Sequence, residues 1–373
     1  MTKVLVLPDS FKGSLTSEEV GQAIKDGLDK TDLALDVRSF VIADGGEGTV
    51  AAFVSAKKGR YMHIETLDAY LKPIVVPVGI LDDNTVVIEV ASIVGLTMYS
   101  KEEANLLEAT SFGVGLVLKQ LHALGYKKII VGLGGSSTND GGMGLLQALG
   151  YAFYDDKGKL LKPRASSLAL IKSVVTTNAI NFSEIELIVA SDVVNTLLGK
   201  NGATFVFGAQ KHADDETLLY LESAMTYYNQ IMSCIGYPLD EVISGGAAGG
   251  MGAALIKVLQ AKRYSGIDLL LQYLTFDSML DDNTIVISGE GQCDQQSAYG
   301  KVIAGIAKYT KAKNVPLYVI CGQYKEGYQR LFELGVQAVY QILDMAVNID
   351  ECFTNAKELI IRTSEKLAYD HMR

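Results

Sequence analysis

Short apolar runs alternate with segments of helical periodicity along much of this chain, and that alternation restricts the fold more than any other feature. An apolar run at 3–10 precedes residues 17–30, whose apolar positions recur every three or four residues. The same alternation returns from 283 to a C-terminal helix expected at 351–369. Strands that alternate with helices form parallel sheets covered by helices. The two ends of the chain therefore predict one doubly wound α/β domain.

The middle of the chain departs from this alternation. Three apolar runs at 61–68, 72–81 and 84–92 have very short connections, and Asp82-Asp83-Asn84 fits a hairpin turn. Such short connections join antiparallel strands. We expect a second, mixed α/β domain inserted into the first. The expected boundaries are residues 1–45 plus 265–373 for the discontinuous parallel-sheet domain and residues 46–264 for the insertion.

Composition excludes several classes of function. The chain of 373 residues has 33 Lys and Arg against 43 Asp and Glu, a formal net charge of −10. This charge and the lack of a basic run argue against binding to nucleic acid, which needs clustered cations. No apolar stretch approaches the length of about 18 residues that a membrane span needs. Four widely spaced cysteines argue against structural zinc or a disulfide framework, and they favour the reducing cytoplasm.

Six loops rich in glycine and polar residues lie next to the predicted strands and helices. In open α/β sheets, ligands bind at the carboxyl ends of strands, so loops of this kind are candidate sites. A capped turn is the simpler explanation for the first loop. An acidic helix N-cap is an equal alternative for the second loop, a helix cap is an alternative for the fourth, and close helix packing is an equal alternative for the fifth. The loops span residues 7–15, 43–49, 132–144, 190–211, 244–254 and 288–301, and a helix is expected together with the fifth loop within 244–263.

The side chains of these loops suit phosphoryl transfer. Lysine and hydroxyl groups at the start of a helix can hold an anion, glycine-rich backbone can surround a phosphate, and carboxylates on rigid loops can hold Mg²⁺. Transfer of a phosphoryl group needs this combination of charge neutralisation and positioning. The motifs of P-loop NTPases, dinucleotide enzymes, α/β-hydrolases and protein kinases do not occur in the sequence.

At these loops the sequence closely resembles the bacterial glycerate kinase family, the type found in glyoxylate and galactarate pathways. The resemblance implies phosphorylation of D-glycerate with ATP and Mg²⁺, most often to 2-phosphoglycerate. It also implies a flavodoxin-like domain and a domain that resembles restriction enzymes, with the active site in the cleft between them. The matching motifs are PDSFKGSL (8–15), ADGGEGT (43–49), GGSSTNDGGMG (134–144), SDVVN…GKNGATFVFGAQK (191–211), GGAAGGMGAAL (245–255) and SGEGQCDQQSAYGK (288–301).

With that reaction in view, we assign hypothetical roles to the loop residues. Lys12 and Asp192 are the predicted catalytic residues, the first as a cation for the carboxylate or phosphoryl group and the second as a base. The predicted substrate-binding residues are Asp9, Ser10, Ser14, Asn195 and Lys211. The predicted metal ligands are Asp44, Glu47, Glu290 and Asp294. The predicted nucleotide-binding residues are Gly134, Gly135, Ser136, Ser137, Thr138, Asn139, Asp140, Gly289, Gly291 and Lys301.

The sequence also departs from the family pattern. Thr196 stands where the family usually has proline, residues 209–212 replace Pro-Gln-Lys-Gly, and Gln292 stands where a cation often follows Gly-Glu-Gly. The third change removes a positive charge from a presumed phosphate loop. A kinase for a related hydroxy or sugar acid, and a small-molecule sensor without catalysis, remain alternatives. Whether the chain forms a homo-oligomer is left open.

Overall fold

A computed structural model describes residues 2–298 and 302–373 of the chain. The chain divides into two compact units. Unit 1 consists of Met1–Asp44, Ala51–Lys57 and Ser265–Arg373, and unit 2 consists of Gly45–Val50 and Lys58–Tyr264. No helix among the described residues has the length and apolar character that a membrane crossing requires.

Thirteen strands form three sheets in the described part of the chain. They are β1 (Thr2–Pro8), β2 (Leu35–Ser39), β3 (Arg60–Leu67), β4 (Pro73–Ile80), β5 (Val86–Glu89), β6 (Lys128–Gly132), β7 (Ala152–Tyr154), β8 (Ser173–Val175), β9 (Glu186–Ala190), β10 (Lys262–Tyr264), β11 (Thr284–Cys293), β12 (Leu317–Tyr324) and β13 (Val336–Gln341).

The helices lie between these strands. They are α1 (Ser17–Asp29), α2 (Thr49–Ala56), α3 (Val90–Val94), α4 (Phe112–Ala123), α5 (Met143–Ala148), α6 (Ala203–Phe207), α7 (Asp215–Cys234), α8 (Met251–Ala253), α9 (Gly266–Tyr273), α10 (Phe276–Met279), α11 (Val302–Ala312), α12 (Arg330–Glu333), α13 (Glu351–Thr354) and α14 (Ala356–His371).

Unit 1 is built on a parallel sheet with the strand order β13-β12-β11-β1-β2. Its interior strand β1, which lies between β11 and β2, is apolar and buried from Val4 to Pro8, as expected for a parallel strand covered on both faces. The core on one face combines β1 with the apolar sides of α1 and α14. Helix α1 begins after Thr16, which forms a capping box with Glu19.

Unit 2 is built on a mixed sheet with the strand order β10-β9-β6-β5-β4-β3. Strands β3, β4 and β5 pair antiparallel, and the other neighbours pair parallel. Asn84 has a φ of +60° in the turn between β4 and β5, where the Leu81 amide donates to the Thr85 carbonyl at 2.9 Å. The predicted hairpin turn is therefore confirmed.

The predicted fold class, with a parallel-sheet unit and a mixed-sheet unit, is confirmed. Two predicted helices differ from the structure. The C-terminal helix expected at 351–369 is interrupted at Asn355, between α13 and α14. The helix expected within 244–263 is a series of short turns around α8, because Ala248, Gly249 and Gly250 have left-handed φ angles that stop a regular helix.

Candidate active site

A cavity of about 360 Å³ lies at the carboxyl ends of the five parallel strands of unit 1. The chain winds outward from β1 to β2 on one side and from β11 to β13 on the other, so the winding reverses between β1 and β11. Ligands of open α/β sheets bind at such a reversal. The cavity is lined by Asp9, Ser10, Phe11, Lys12, Ser14, Asp44, Glu290, Gly291, Gln292, Asp294, Gly322, Gln323, Ile349, Cys352 and Phe353.

A tight turn after β1 brings Lys12 to this cavity. The Phe11 amide donates to the Leu15 carbonyl at 2.9 Å, and the Ser14 amide donates to the Phe11 carbonyl at 2.8 Å. Gly13 has a φ of +80°, a conformation that glycine adopts without strain. The turn closes on itself through backbone bonds, and the Lys12 side chain is left exposed at its tip.

The loops after β1 and β11 approach each other closely. The Asp9 amide donates to the Gly289 carbonyl at 2.8 Å. A Cβ atom at Gly291 would lie 3.4 Å from the Cα atom of Phe11, so a larger side chain there would crowd the turn. Nearby, the side-chain amide of Gln292 donates through Nε2 to a carboxylate oxygen of Asp294 at 2.8 Å. This bond orients the Asp294 carboxylate at the cavity.

Acidic groups dominate the charge of the cavity. Among the described residues, four carboxylates and one lysine side chain line it, and Glu290 is only 8 % exposed. Carboxylates in a partly desolvated cavity repel an anionic ligand unless a cation offsets them. The cavity therefore suits an anion that arrives with a divalent cation. The acidic residues are Asp9, Asp44, Glu290 and Asp294, and the lysine is Lys12.

Some of these carboxylates fit a magnesium site. Asp44, Glu290 and Asp294 line the same cavity, although no group of three or more His, Cys, Asp or Glu side chains in the described parts of the chain could hold a metal ion unaided. Mg²⁺ characteristically takes one or two carboxylates and completes its octahedron with waters and substrate phosphates. A magnesium ion held by these carboxylates would therefore need waters or ligand oxygens to complete its coordination.

Unit 2 contains the predicted loop 134–140, and its charged residue is buried inside the unit. Asp140 is 0 % exposed and accepts hydrogen bonds from the Ser111 amide at 2.8 Å and the Ser111 hydroxyl at 2.9 Å. It also accepts bonds from the amides of Gly142 and Gly144. Complete burial raises the pKa of Asp140, and these hydrogen bonds oppose the rise.

Lys211 holds the same loop from the other side. Its Nζ donates to the Thr138 carbonyl at 2.7 Å and to the Ser136 hydroxyl at 3.2 Å, and the residue is 4 % exposed. Burial lowers the pKa of Lys211 to about 7, while the charge of Asp140 acts in the opposite direction. Lys211 therefore fixes the backbone of the loop in unit 2.

The glycine-rich segment 244–254 packs against this loop. The Gly141 amide donates to the Gly249 carbonyl at 2.9 Å. A Cβ atom at Gly249 would lie 1.9 Å from the Thr138 carbonyl oxygen, and one at Gly250 would lie 2.5 Å from the Gly141 Cα. Of the two explanations for this segment, close packing through small residues accounts for these contacts.

The other predicted residues of unit 2 lie in several loops. Glu47 is exposed, and Asp192 follows β9 and is partly buried. The Asn195 side chain donates to the Asn201 carbonyl at 2.8 Å, within its own loop. Sequence reasoning did not select Glu89, which accepts a bond from the Val50 amide at 3.0 Å. Burial raises the pKa of Glu89, and the neighbouring charge of Glu47 adds to that rise.

Comparison with known proteins decides the family. The glycerate kinase family profile matches residues 4–371. The chain belongs to the glycerate kinase family. Its assignment as a kinase is confirmed at this level, as is the resemblance drawn from the six motifs.

Individual members are similar over nearly their whole length. The glycerate kinase of Bacillus subtilis is 35% identical over 369 residues, which cover 98% of this chain and 97% of that protein. The glycerate 2-kinase of Escherichia coli is 35% identical with the same coverage of each chain. A crystal structure from Salmonella typhimurium LT2, assigned as glycerate kinase 2, has a TM-score of 0.82 and 33% identity, and it covers 99% of this chain and 98% of that one.

In this family member, the sequence-selected residues divide between the two units. The unit 1 cavity collects Asp9, Ser10, Lys12, Ser14, Asp44, Glu290, Gly291 and Asp294. Gly289 lies in β11, where a Cβ atom would lie 2.2 Å from the Ile320 carbonyl oxygen. Lys301 lies outside the described residues. The lining residues that were not selected are Phe11, Gln292, Gly322, Gln323, Ile349, Cys352 and Phe353.

Proposed function

We propose that this chain transfers the γ-phosphoryl group of ATP directly, by in-line displacement, to a hydroxyl of D-glycerate with the help of Mg²⁺. The observation that carries the proposal is the unit 1 cavity, which combines an exposed lysine with four carboxylates at the reversal of the sheet. The name of the E. coli relative, glycerate 2-kinase, supports 2-phosphoglycerate as the product.

Lys12 has the chemistry needed to offset negative charge in this reaction. An ammonium group near the transferring phosphoryl group stabilises charge in the transition state, where preorganised cations contribute most. The hydroxyls of Ser10 and Ser14 line the same cavity and can bind the carboxylate or hydroxyls of the acceptor. Asp9 lies beside them and can accept a hydrogen bond from an acceptor hydroxyl.

Asp44, Glu290 and Asp294 are the residues of the cavity lining that would hold Mg²⁺, and Glu47 remains a proposed metal ligand. The bound ion would neutralise phosphate charge and hold the nucleotide's oxygens in place. The chain itself orients one of these carboxylates, because the side-chain Nε2 of Gln292 donates a hydrogen bond of 2.8 Å to the Asp294 carboxylate. Gly289, Gly291 and Lys301 remain the proposed phosphate contacts of this part of the chain.

Asp192 remains the candidate base that orients the acceptor hydroxyl, with Asn195 and Lys211 as proposed substrate contacts. A loose transition state for phosphoryl transfer needs an oriented hydroxyl more than a strong base. The loop 134–140 remains a proposed phosphate-binding loop, and the contacts of Lys211 and Asp140 give it a fixed backbone.

The first test is a coupled assay of ADP release with D-glycerate, ATP and Mg²⁺, followed by ³¹P NMR of the product. We expect turnover that EDTA abolishes and a spectrum of 2-phosphoglycerate. A spectrum of 3-phosphoglycerate would overturn the proposed regiochemistry alone. Turnover only with another hydroxy or sugar acid would establish that alternative, and no turnover across an acceptor panel would favour the sensor.

The second test is Asp192→Asn, which removes the proposed base with little change in shape. We expect turnover to fall about 10²-fold or more, with the unfolding transition unchanged, since acid–base groups contribute about this much. Asp156→Asn, at an exposed aspartate of the same unit, is the matched control. Turnover near that of the control would remove Asp192 from the mechanism.

Compartment and partners follow from the same proposal. The four cysteines are free thiols, which supports a reducing compartment such as the cytoplasm. The proposed partners are D-glycerate and ATP, with neither nucleic acid nor membrane.

A further inference from the structure

The unit 1 cavity has two chemically different walls. One carries Lys12 and the carboxylates described above. The other, which we call the apolar wall, consists of Phe11, Ile349, Cys352 and Phe353. The charged wall follows β1, β2 and β11, whereas three of the four residues of the apolar wall lie between β13 and α14.

Two of the four residues of the apolar wall are exposed to solvent. Phe353 is 54% exposed and Ile349 is 45% exposed, while Phe11 and Cys352 behind the cavity surface are buried. Single exposed apolar side chains are common on proteins. Two that lie together on the lining of a concave site, above buried apolar residues, are typical of a ligand-binding surface.

The segment that carries this wall is held in place by hydrogen bonds. The Val347 amide donates to the Glu351 carboxylate at 2.7 Å, and the Glu351 amide donates to the Asn348 side chain at 3.1 Å. The Ser14 hydroxyl donates to the Phe353 carbonyl at 3.1 Å, which connects the apolar wall to the turn that carries Lys12. The apolar wall is therefore hydrogen-bonded directly to the turn that carries Lys12.

A three-carbon hydroxy acid cannot use such a wall, because it has hardly any apolar surface. The other substrate of the proposed reaction has a flat heteroaromatic base joined to a chain of phosphates, which matches an apolar wall beside a charged one. We propose that the apolar wall binds the purine base of the phosphoryl donor, with Phe353 stacked on the base. This inference rests on the proposed function and adds the location of the donor's base.

A tryptophan reporter tests the inference without any need for turnover. The chain contains 0 tryptophans, so Phe353→Trp introduces a single one on the apolar wall. With Mg²⁺ present, we expect ATP, ADP and AMP to quench its fluorescence saturably, because a stacked purine quenches indole. Inorganic tripolyphosphate and D-glycerate should not quench it.

Phe332→Trp is the matched control, because Phe332 lies in the same unit, is 44% exposed and does not line the cavity. We expect no saturable quenching in this variant. Quenching of the Phe353→Trp variant by D-glycerate would assign the wall to the acceptor and overturn the inference. The absence of quenching by adenine nucleotides would overturn it as well.

Steady-state kinetics provide a second, independent readout. Phe353→Ala should raise the KM for ATP about tenfold, the effect expected from the loss of one aromatic–base stack, and leave the KM for D-glycerate unchanged. Phe332→Ala should change neither constant. An unchanged KM for ATP in an active Phe353→Ala enzyme contradicts the inference alone, whereas quenching by adenine nucleotides in a protein without kinase activity contradicts the proposed function alone.

Discussion

Two polar loops of this chain each lie between a parallel strand and a helix, and they differ in what their charged side chains contact. In unit 1, the loop after β1 turns tightly and exposes Lys12 on a cavity lining. In unit 2, the loop after β6 buries Asp140 and is held by the equally buried Lys211. The polar residues that follow a parallel strand thus either line a cavity or make the internal bonds that fix a backbone. Only exposure distinguishes the two.

The difference between the two loops should be largest when Lys12 of the unit 1 loop is replaced, in the variant Lys12→Met. This variant removes the exposed cation and keeps the length of the side chain. We expect turnover to fall about 10²- to 10³-fold, because one preorganised group that stabilises developing charge contributes about that much. The free energy of unfolding should change by less than about 0.5 kcal/mol, since an exposed side chain away from packing contributes little. Steady-state kinetics and a urea titration measure the two quantities.

Lys25→Met is the control for this experiment. Lys25 lies on α1 of the same unit and forms an exposed pair with Asp29 at 3.1 Å. A surface pair of this kind contributes only a few tenths of a kcal/mol, so both turnover and stability should stay near the wild type. A Lys12→Met enzyme with control-like turnover would show that the cavity lysine has no part in catalysis.

The next contrast compares two carboxylates, one from each unit. Asp140→Asn places an amide NH₂ or a weaker acceptor where several donors converge, and we expect it to reduce the free energy of unfolding by about 3 kcal/mol. Asp44→Asn, on the cavity lining, should change that free energy by less than about 1 kcal/mol and reduce turnover at limiting Mg²⁺. Urea titrations followed by circular dichroism compare the two variants. Equal losses of stability would mean that the two loops do not differ as described.

Much of the fold follows from periodicity. The parallel strands and α1 were predicted because apolar runs and helical spacing are visible in a single sequence. The turn at Asn84 was predicted from its residue type. The segment around α8 was not, because glycines that pack a backbone against Thr138 have the same sequence pattern as glycines that surround a phosphate. The sequence alone does not show which group contacts the backbone of a glycine.

The site shows the same limit. Lys12 and Glu290 were selected because their loops follow apolar strands, and both line the cavity. Gly322 and Gln323 could have been selected by the same rule, since β12 is a predicted parallel strand. The sequence did not indicate Ile349 and Phe353 as site residues. Two apolar residues in a short stretch before a helix are expected to be buried in the core, and only the structure shows that they are exposed.

The smallest effect concerns the pH dependence of stability in unit 2. Burial lowers the pKa of Lys211 from its ordinary value of 10.5 to about 7. Between these two values the unfolded chain binds a proton that the folded chain does not, so folding is favoured as the pH rises through this window. From pH 7 to pH 9 this residue alone should add about 2 kcal/mol to the free energy of unfolding.

Lys211→Met removes the titrating group, so the unfolding free energy of this variant should rise by about 2 kcal/mol less between pH 7 and pH 9 than that of the wild type. Lys172→Met, at an exposed lysine of the same unit, should keep the pH dependence of the wild type. Urea titrations of the three proteins at pH 7, 8 and 9 measure the difference. If the unfolding free energies of Lys211→Met and the wild type change in parallel with pH, Lys211 carries its charge in contact with water throughout this range. The loop of unit 2 would then resemble the exposed loop of unit 1, and the contrast between them would fail.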